Sequence, residues 1–194
     1  GEQYRLPEDK EPTFRGEVWV YAEQDEGGLH PAAFELLGRA ASLARSLNEK
    51  VAAVLLGSGV EAMAGDLIAH GADKVYMADD ERLGHFSAMP YSDTVSGLIS
   101  QYRPQIVLFA ATPLGRELAP RVAYRTNSGL TADCTALDLI DLKRAGKEYT
   151  GILRQTRPAL GGNIMASIIT QNADIQMSTA RPGVMKALPR DDSR

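Results

Sequence analysis

A short apolar run followed by a helical stripe, repeated four times, is the feature that most narrows what this chain can become. The runs are Glu17–Glu23 (EVWVYAE), Val51–Gly57 (VAAVLLG), Lys74–Ala78 (KVYMA) and Gln105–Ala111 (QIVLFAA). Val51–Gly57 shows no polar alternation, as expected of a strand covered on both faces. Between the runs, Phe34, Leu37, Ala41, Ala44 and Leu47 share one helical face. So do Val60, Met63, Ala64, Leu67 and Ile68, and then Tyr91, Val95, Leu98, Ile99 and Tyr102. Punctuation supports the periodicity. Pro31 suits a first helical turn, Ser58 with Glu61 reads as a capping box, and Gly71 fits the left-handed position after a helix. Thr112 and Pro113 read as N-cap and first residue of a helix reaching Arg125, in which Pro120 predicts a kink. Successive strand–helix units predict a parallel sheet with right-handed crossovers and helices on both faces.

After Gly129 the rhythm changes. Leu130–Leu142, Glu148–Thr156, Asn163–Thr170 and Gln176–Ala180 are strand-like with no helix between them. The expected fold is therefore α/β, a three-layer αβα parallel sheet with a C-terminal antiparallel β extension. Residues 1–16 read as a polar arm holding Pro7 and Pro12, 17–185 as the globular unit, and 186–194 (KALPRDDSR) as a linker. The total of 194 residues suits one domain with an arm. The chain begins at Gly and is expected to be a trimmed piece of something longer.

Several chemistries are excluded. A net charge of −4 without a basic block argues against a nucleic-acid binder. No apolar run approaches the ~18 residues of a membrane span, and the first residues lack the apolar core of a signal peptide, so no membrane insertion and a reducing, cytoplasmic setting are expected. Cys134 is the single cysteine and His30, His70 and His85 are scattered, so neither a disulfide framework nor a metal set is expected. Cys134 reads as a small buried apolar group, with Asp133 beside it raising its pKa. Asp79, Asp80 and Glu81 read as a solvated turn, with His85 facing water. Gly57-Ser58-Gly59 resembles the start of GxGxxG, but Ala62 takes the place of the third glycine, and neither a GKS/T loop nor GxSxG occurs. No nucleophile–base pair is found, so no residue is assigned as catalytic.

In an open α/β sheet, ligands bind beyond the carboxyl ends of the strands, near the switch in strand order. That directs attention to the loop Glu23–Leu29, with Gly27 and Gly28, and to Ala111–Arg116 (ATPLGR). Free N–H groups at the second loop's helix start and the Arg116 charge would suit an anion. An ordinary capped helix with a solvent-facing arginine explains the same residues. Two further strings, RQTRPALGGN (Arg154–Asn163) and QMSTARPGVM (Gln176–Met185), both contain Arg-Pro with glycine nearby. Arg157 and Arg181 would either brace the β extension or reach a partner chain, and spacing does not choose.

These strings also carry a resemblance. With VWVYAEQDEGGLHPAAFELLGRA, VAAVLLGSGV, HGADKVYMADD, ATPLGRELAPRVAYRTNSGLTADCT and RPALGGNIMASI, they span Val18 to Met185. Together they resemble the N-terminal domain of the electron-transfer flavoprotein alpha subunit, especially forms from anaerobes, several of which bifurcate electrons. The resemblance implies a Rossmann-like fold akin to adenine-nucleotide alpha hydrolases and universal stress proteins. It implies a heterodimer with a beta subunit, carrying electrons on flavin between dehydrogenases and an acceptor. It places FAD chiefly on the alpha C-terminal domain and the beta subunit, so none is expected tightly bound to these residues. A non-catalytic docking role follows, with Arg157, Gly161, Gly162, Asn163 and Arg181 as partner-interface candidates, in the cytoplasm or, in a eukaryote, the mitochondrial matrix. The alternative is an adenine-nucleotide-binding regulatory module, with Glu23, Gln24, Thr112 and Arg116 as cofactor-site candidates. The chain departs from the family pattern at Leu160, where an aromatic is expected, and at Asn127-Ser128.

Overall fold

A computed structural model describes residues 15–144, 146–159, 161, 163–170 and 173–194. Most of the expected arm, Leu160 and Gly162 lie outside the described residues. In chain order the elements are β1 (Val18–Tyr21), β2 (Gln24–Asp25), β3 (Gly28–Leu29), α1 (Pro31–Leu47), β4 (Val51–Gly57), α2 (Ala64–Ala69), β5 (Lys74–Asp79) and α3 (Ala88–Tyr102). There follow β6 (Ile106–Ala110), α4 (Pro113–Arg125), β7 (Ser128–Cys134), β8 (Ala136–Arg144), β9 (Lys147–Pro158), β10 (Met165–Ile169) and β11 (Ile175–Ala180).

The main sheet has six strands in the order β5-β4-β1-β6-β11-β7, and every pairing in it is parallel. Because side chains alternate along a strand, each apolar run feeds two cores. Val18, Val20, Ala53, Leu55, Ile106 and Leu108 turn to the α1 side. Trp19, Tyr21, Val54, Leu56, Val107 and Phe109 turn to α3 and α4, where Val95, Ile99, Leu118 and Val122 meet them. The unbroken apolar runs are thus explained by burial on both faces.

Of the segments assigned by sequence to the β extension, Gln176–Ala180 and the start of Leu130–Leu142 belong to this sheet instead, as β11 and β7. β11 lies between β6 and β7, with Met177 opposite Val107 on one side and Leu130 on the other. Among the described residues, β8, β9 and β10 form a separate antiparallel sheet in the order β10-β9-β8, and β2 and β3 a two-stranded one. The polar residues of β11 concealed its central place. They are buried, and two of them bond to the β8–β10 sheet: Gln176 Oε1 accepts from the Leu153 N–H at 2.7 Å, and the Ser178 hydroxyl donates to Gln155 Oε1 at 2.6 Å, while Gln176 Nε2 is buried without a partner among the described residues. Those bonds fasten the two sheets together.

Local punctuation is mostly as expected. Thr112 caps α4 with Pro113 in its first turn, and Gly71 has a φ of 119°. The helix continues through Pro120. The capping box at Ser58 does not form. Asp79, at the end of β5, accepts from the N–H groups of Gly59 at 2.7 Å and Val60 at 3.0 Å instead. A single 3₁₀ turn, Glu61–Met63, then leads into the short α2. The polar run 186–194 lies along α1 and α2. Gly183 N–H donates to Glu35, Asp191 N–H donates to the Ala69 carbonyl, and Arg190 and Arg194 pair with Asp66 and Asp73. No helix among the described residues is long and apolar enough to cross a membrane.

Candidate functional site

The strand order reverses between β1 and β6, so the crevice expected to hold a ligand opens where those two strands end. Glu23 follows β1 and Thr112 follows β6; both are buried, and the Thr112 hydroxyl donates to Glu23 Oε2 at 2.6 Å. The same hydroxyl accepts from the Gly115 N–H at 3.1 Å, and Arg116 N–H donates to the Thr112 carbonyl at 2.9 Å. Thr112 therefore satisfies the Gly115 and Arg116 N–H groups of the first turn of α4. Gly115 is needed there for close packing: a Cβ on it would stand 1.8 Å from the Ala110 carbonyl oxygen. Burial pushes the Glu23 carboxyl above its ordinary range, against the opposing pull of the Thr112 hydrogen bond and of His30.

Gln24 reaches sideways rather than into this pair, its amide donating to the Leu56 carbonyl at 2.6 Å. It ties the β1 loop to the end of β4. Arg116 points outward from α4. Of the four cofactor-site candidates, the structure joins Glu23 to Thr112 and sends Gln24 and Arg116 elsewhere. Beside them lies a cavity of about 300 Å³, lined among others by Tyr21, Asp25, Glu26, His85, Phe86 and Tyr91. Its charged lining is acidic and its apolar lining aromatic.

Arg116 belongs to a second cluster, along the same edge of the sheet. Arg181 clasps Asp133 through two bonds, Nε to Oδ1 at 3.1 Å and a terminal nitrogen to Oδ2 at 2.7 Å. The hydrogen bonds from Arg181 hold the Asp133 carboxyl below its ordinary range, aided by the charges of Arg116 and Arg157. Asp133 sits at a φ of 60°, its N–H donating to the Thr179 hydroxyl at 2.8 Å. Beside it, burial pushes the Cys134 thiol up to about 11, with Asp133 adding a smaller push. One guanidinium, that of Arg181, thus grips the carboxylate, and the charges of Arg116 and Arg157 act on it as well. Asp133 as the organiser was absent from the sequence-based reading; its only signal was the Asp-Cys step near the end of a strand.

The remaining described partner candidates follow Arg157 at the end of β9. Gly161, at a φ of 106°, and the exposed Asn163 belong to the turn between β9 and β10. Next to them Ile164 and Met165 are 64% and 51% exposed. These two residues, apolar yet directed to water, were not singled out from sequence, although they directly follow the glycine turn. Among the described residues, Asp80 pairs with Arg82 and no group of His, Cys, Asp or Glu could hold a metal ion.

Comparison with known proteins agrees with this architecture. The model of the electron transfer flavoprotein domain matches residues 18–194. An electron transfer flavoprotein subunit alpha of Thermoanaerobacterium thermosaccharolyticum is 46% identical over 178 residues, covering 92% of this chain and 52% of that protein. The corresponding subunit of Clostridium acetobutylicum is also 46% identical, over 176 residues, 91% of this chain and 50% of that protein. A subunit of Acetobacterium woodii lactate dehydrogenase (NAD(+),ferredoxin), LctC, is 42% identical over 177 residues, 91% of this chain and 40% of that protein. The chain spans about half the length of the first two relatives and less of the third.

Proposed function

That the chain belongs to the electron transfer flavoprotein family is the premise from which we propose its role: it is the docking part of an alpha subunit. It holds a beta subunit within a flavin-based electron carrier and performs no turnover itself. The observation that carries this reading is the closed switch point. Thr112 stands between Glu23 and Gly115, so the groups that would grip a ligand's phosphate are engaged with each other. The loop facing the crevice adds Asp25 and Glu26, which would repel a pyrophosphate. These residues do not fit FAD. In this proposal FAD is held by the rest of an alpha subunit and by the beta subunit, and the dehydrogenase and acceptor are met through the assembled complex.

The surface left for docking combines the arginines around Asp133 with the β9–β10 turn. A cationic patch steers encounter, and exposed apolar side chains gain most from being covered. The test is co-purification with an electron transfer flavoprotein beta subunit from the same source. A stable one-to-one complex, with the isolated chain colourless, is expected. Stoichiometric yellow flavin on the isolated chain, or no complex, would overturn the reading.

A second reading, an adenine-nucleotide regulatory module, is favoured by one observation. The aromatic-lined crevice lies where this fold class places ligands. Calorimetry with AMP, ADP, ATP and FAD separates the two. Binding tighter than millimolar supports the nucleotide module; its absence leaves docking as the role.

A further inference from the structure

The only tryptophan, Trp19, is fully buried in β1, flanked by β4 and β6. Its ring meets Tyr76 of the edge strand β5, with centroids 4.9 Å apart. Tyr76 in turn meets Tyr102, at the end of α3, at 4.5 Å. Tyr102 is 45% exposed. Ring contacts of this kind serve packing in most proteins. Here a polar group joins them. One carboxylate oxygen, Glu17 Oε1, accepts both from the Trp19 indole N–H, at 3.1 Å, and from the Tyr76 hydroxyl, at 2.6 Å. The other, Oε2, lies 2.6 Å from Lys74 Nζ. Burial works against the charge on Glu17, but hydrogen bonds from Lys74, Tyr76 and Trp19 prevail and hold its carboxyl below the ordinary range. An ionised carboxylate, already hydrogen-bonded to the protons they would release, thus touches both oxidisable rings.

We propose that Trp19, Tyr76 and Tyr102, with Glu17 as their shared proton acceptor, form a route by which an oxidising hole leaves the sheet interior for the surface. The oxidant is a radical strong enough to take one electron from an indole. Trp19 gives it that electron, and the indole proton passes to Glu17. Tyr76 then returns an electron to Trp19. Glu17 hands its proton back to the indole nitrogen as it takes the phenolic proton of Tyr76. Next Tyr102 supplies an electron to Tyr76, which recovers its proton from Glu17, while the Tyr102 proton goes to water. The hole then rests on an exposed ring, where a diffusible thiol restores Tyr102 by giving up a hydrogen atom and leaves as a thiyl radical. Each step moves one electron, and Glu17 ends ionised as it began.

Having one tryptophan makes the test clean. Flash photoionisation at the red edge of the indole band, where tyrosine is transparent, generates the radical at Trp19 in the 1–194 chain. The tryptophanyl signal should decay as a tyrosyl signal rises, more slowly in heavy water. Tyr76→Phe should abolish the tyrosyl rise and lengthen the tryptophanyl lifetime at least about tenfold. Glu17→Gln can accept the same hydrogen bonds but takes no proton, and should slow the transfer by on the order of tenfold or more. Circular dichroism matching the parent shows that each variant is folded. An unchanged tryptophanyl lifetime in Tyr76→Phe overturns the proposal. So does a tyrosyl rise insensitive to both Glu17→Gln and heavy water. Should Glu17→Gln fail to fold, Tyr76→Phe and the isotope comparison decide.

Discussion

Thr112 shows how much one side chain can carry. Its hydroxyl caps α4 and satisfies a buried carboxyl across 89 residues of sequence. Thr112→Ala should cost about 2 kcal/mol, combining a lost cap with an unsatisfied buried acceptor, whereas Thr112→Ser should stay within about 0.5 kcal/mol. Urea unfolding of the three proteins checks this. Glu23 and Asp133 should give opposite responses to pH. Glu23 is raised in the fold, so its contribution is present below the ordinary carboxylate range and lost as pH rises through the folded value. Glu23→Gln should therefore unfold at higher urea than the parent at neutrality, with a flatter profile through mildly acid pH. Asp133 is lowered by Arg181, so its contribution is present above the ordinary range and lost on acidification. Arg181→Gln should weaken that acid-side loss. At this scale the cap was legible in Thr-Pro, because capping is local. The Glu23 partner was not, because only the fold brings the ends of β1 and β6 together.

Among the elements, the helices show where local rules are overridden. Gly97 lies inside α3 with open space around it, and Gly97→Ala should stabilise by about 0.5–1 kcal/mol, as helix propensity predicts. Gly38, inside α1, carries the same propensity argument and should show the opposite sign. A Cβ there would stand 2.1 Å from the Lys186 carbonyl oxygen, a backbone atom of the terminal run. Gly38→Ala should lose about 1–3 kcal/mol as that run is displaced. Trypsin should then cut after Lys186 and Arg190 well before it cuts the parent there. The 3₁₀ turn before α2 makes the same point. Ser58-x-x-Glu61 is a valid local signature, yet Asp79 from the neighbouring strand takes the N–H groups at that turn.

For the whole molecule, the late insertion of β11 matters most. Among the described residues, β7 has no neighbour in the main sheet except β11. A chain ending at Asp174 should lose cooperative unfolding altogether, not merely its smaller sheet. A urea titration followed by tryptophan fluorescence, with Trp19 in the core as reporter, would show this. Docking belongs to the same scale. If the exposed β9–β10 turn seats the beta subunit, Ile164→Asp should weaken the complex by about thirtyfold, the loss expected of a central apolar anchor. Its unfolding midpoint should match the parent, since Ile164 faces water in the free chain. Isothermal titration against the beta subunit measures the loss.

The sequence by itself determined the layers. Short continuous apolar runs alternating with striped helices call for strands covered by helices, so the αβα class was readable from Val18 to Arg125. Its motifs also carried the family. It did not determine which strands are neighbours. β11 reads as part of the extension because Gln176, Ser178 and Thr179 are polar, and only folding brings the Leu153 and Asp133 backbone N–H groups and the Gln155 side chain near enough to bond them inside. The candidate site divides in the same way. Residue types at strand ends pointed to Glu23 and Thr112, but whether their polar groups face a ligand or each other depends on distances that arise only when β1 and β6 lie side by side.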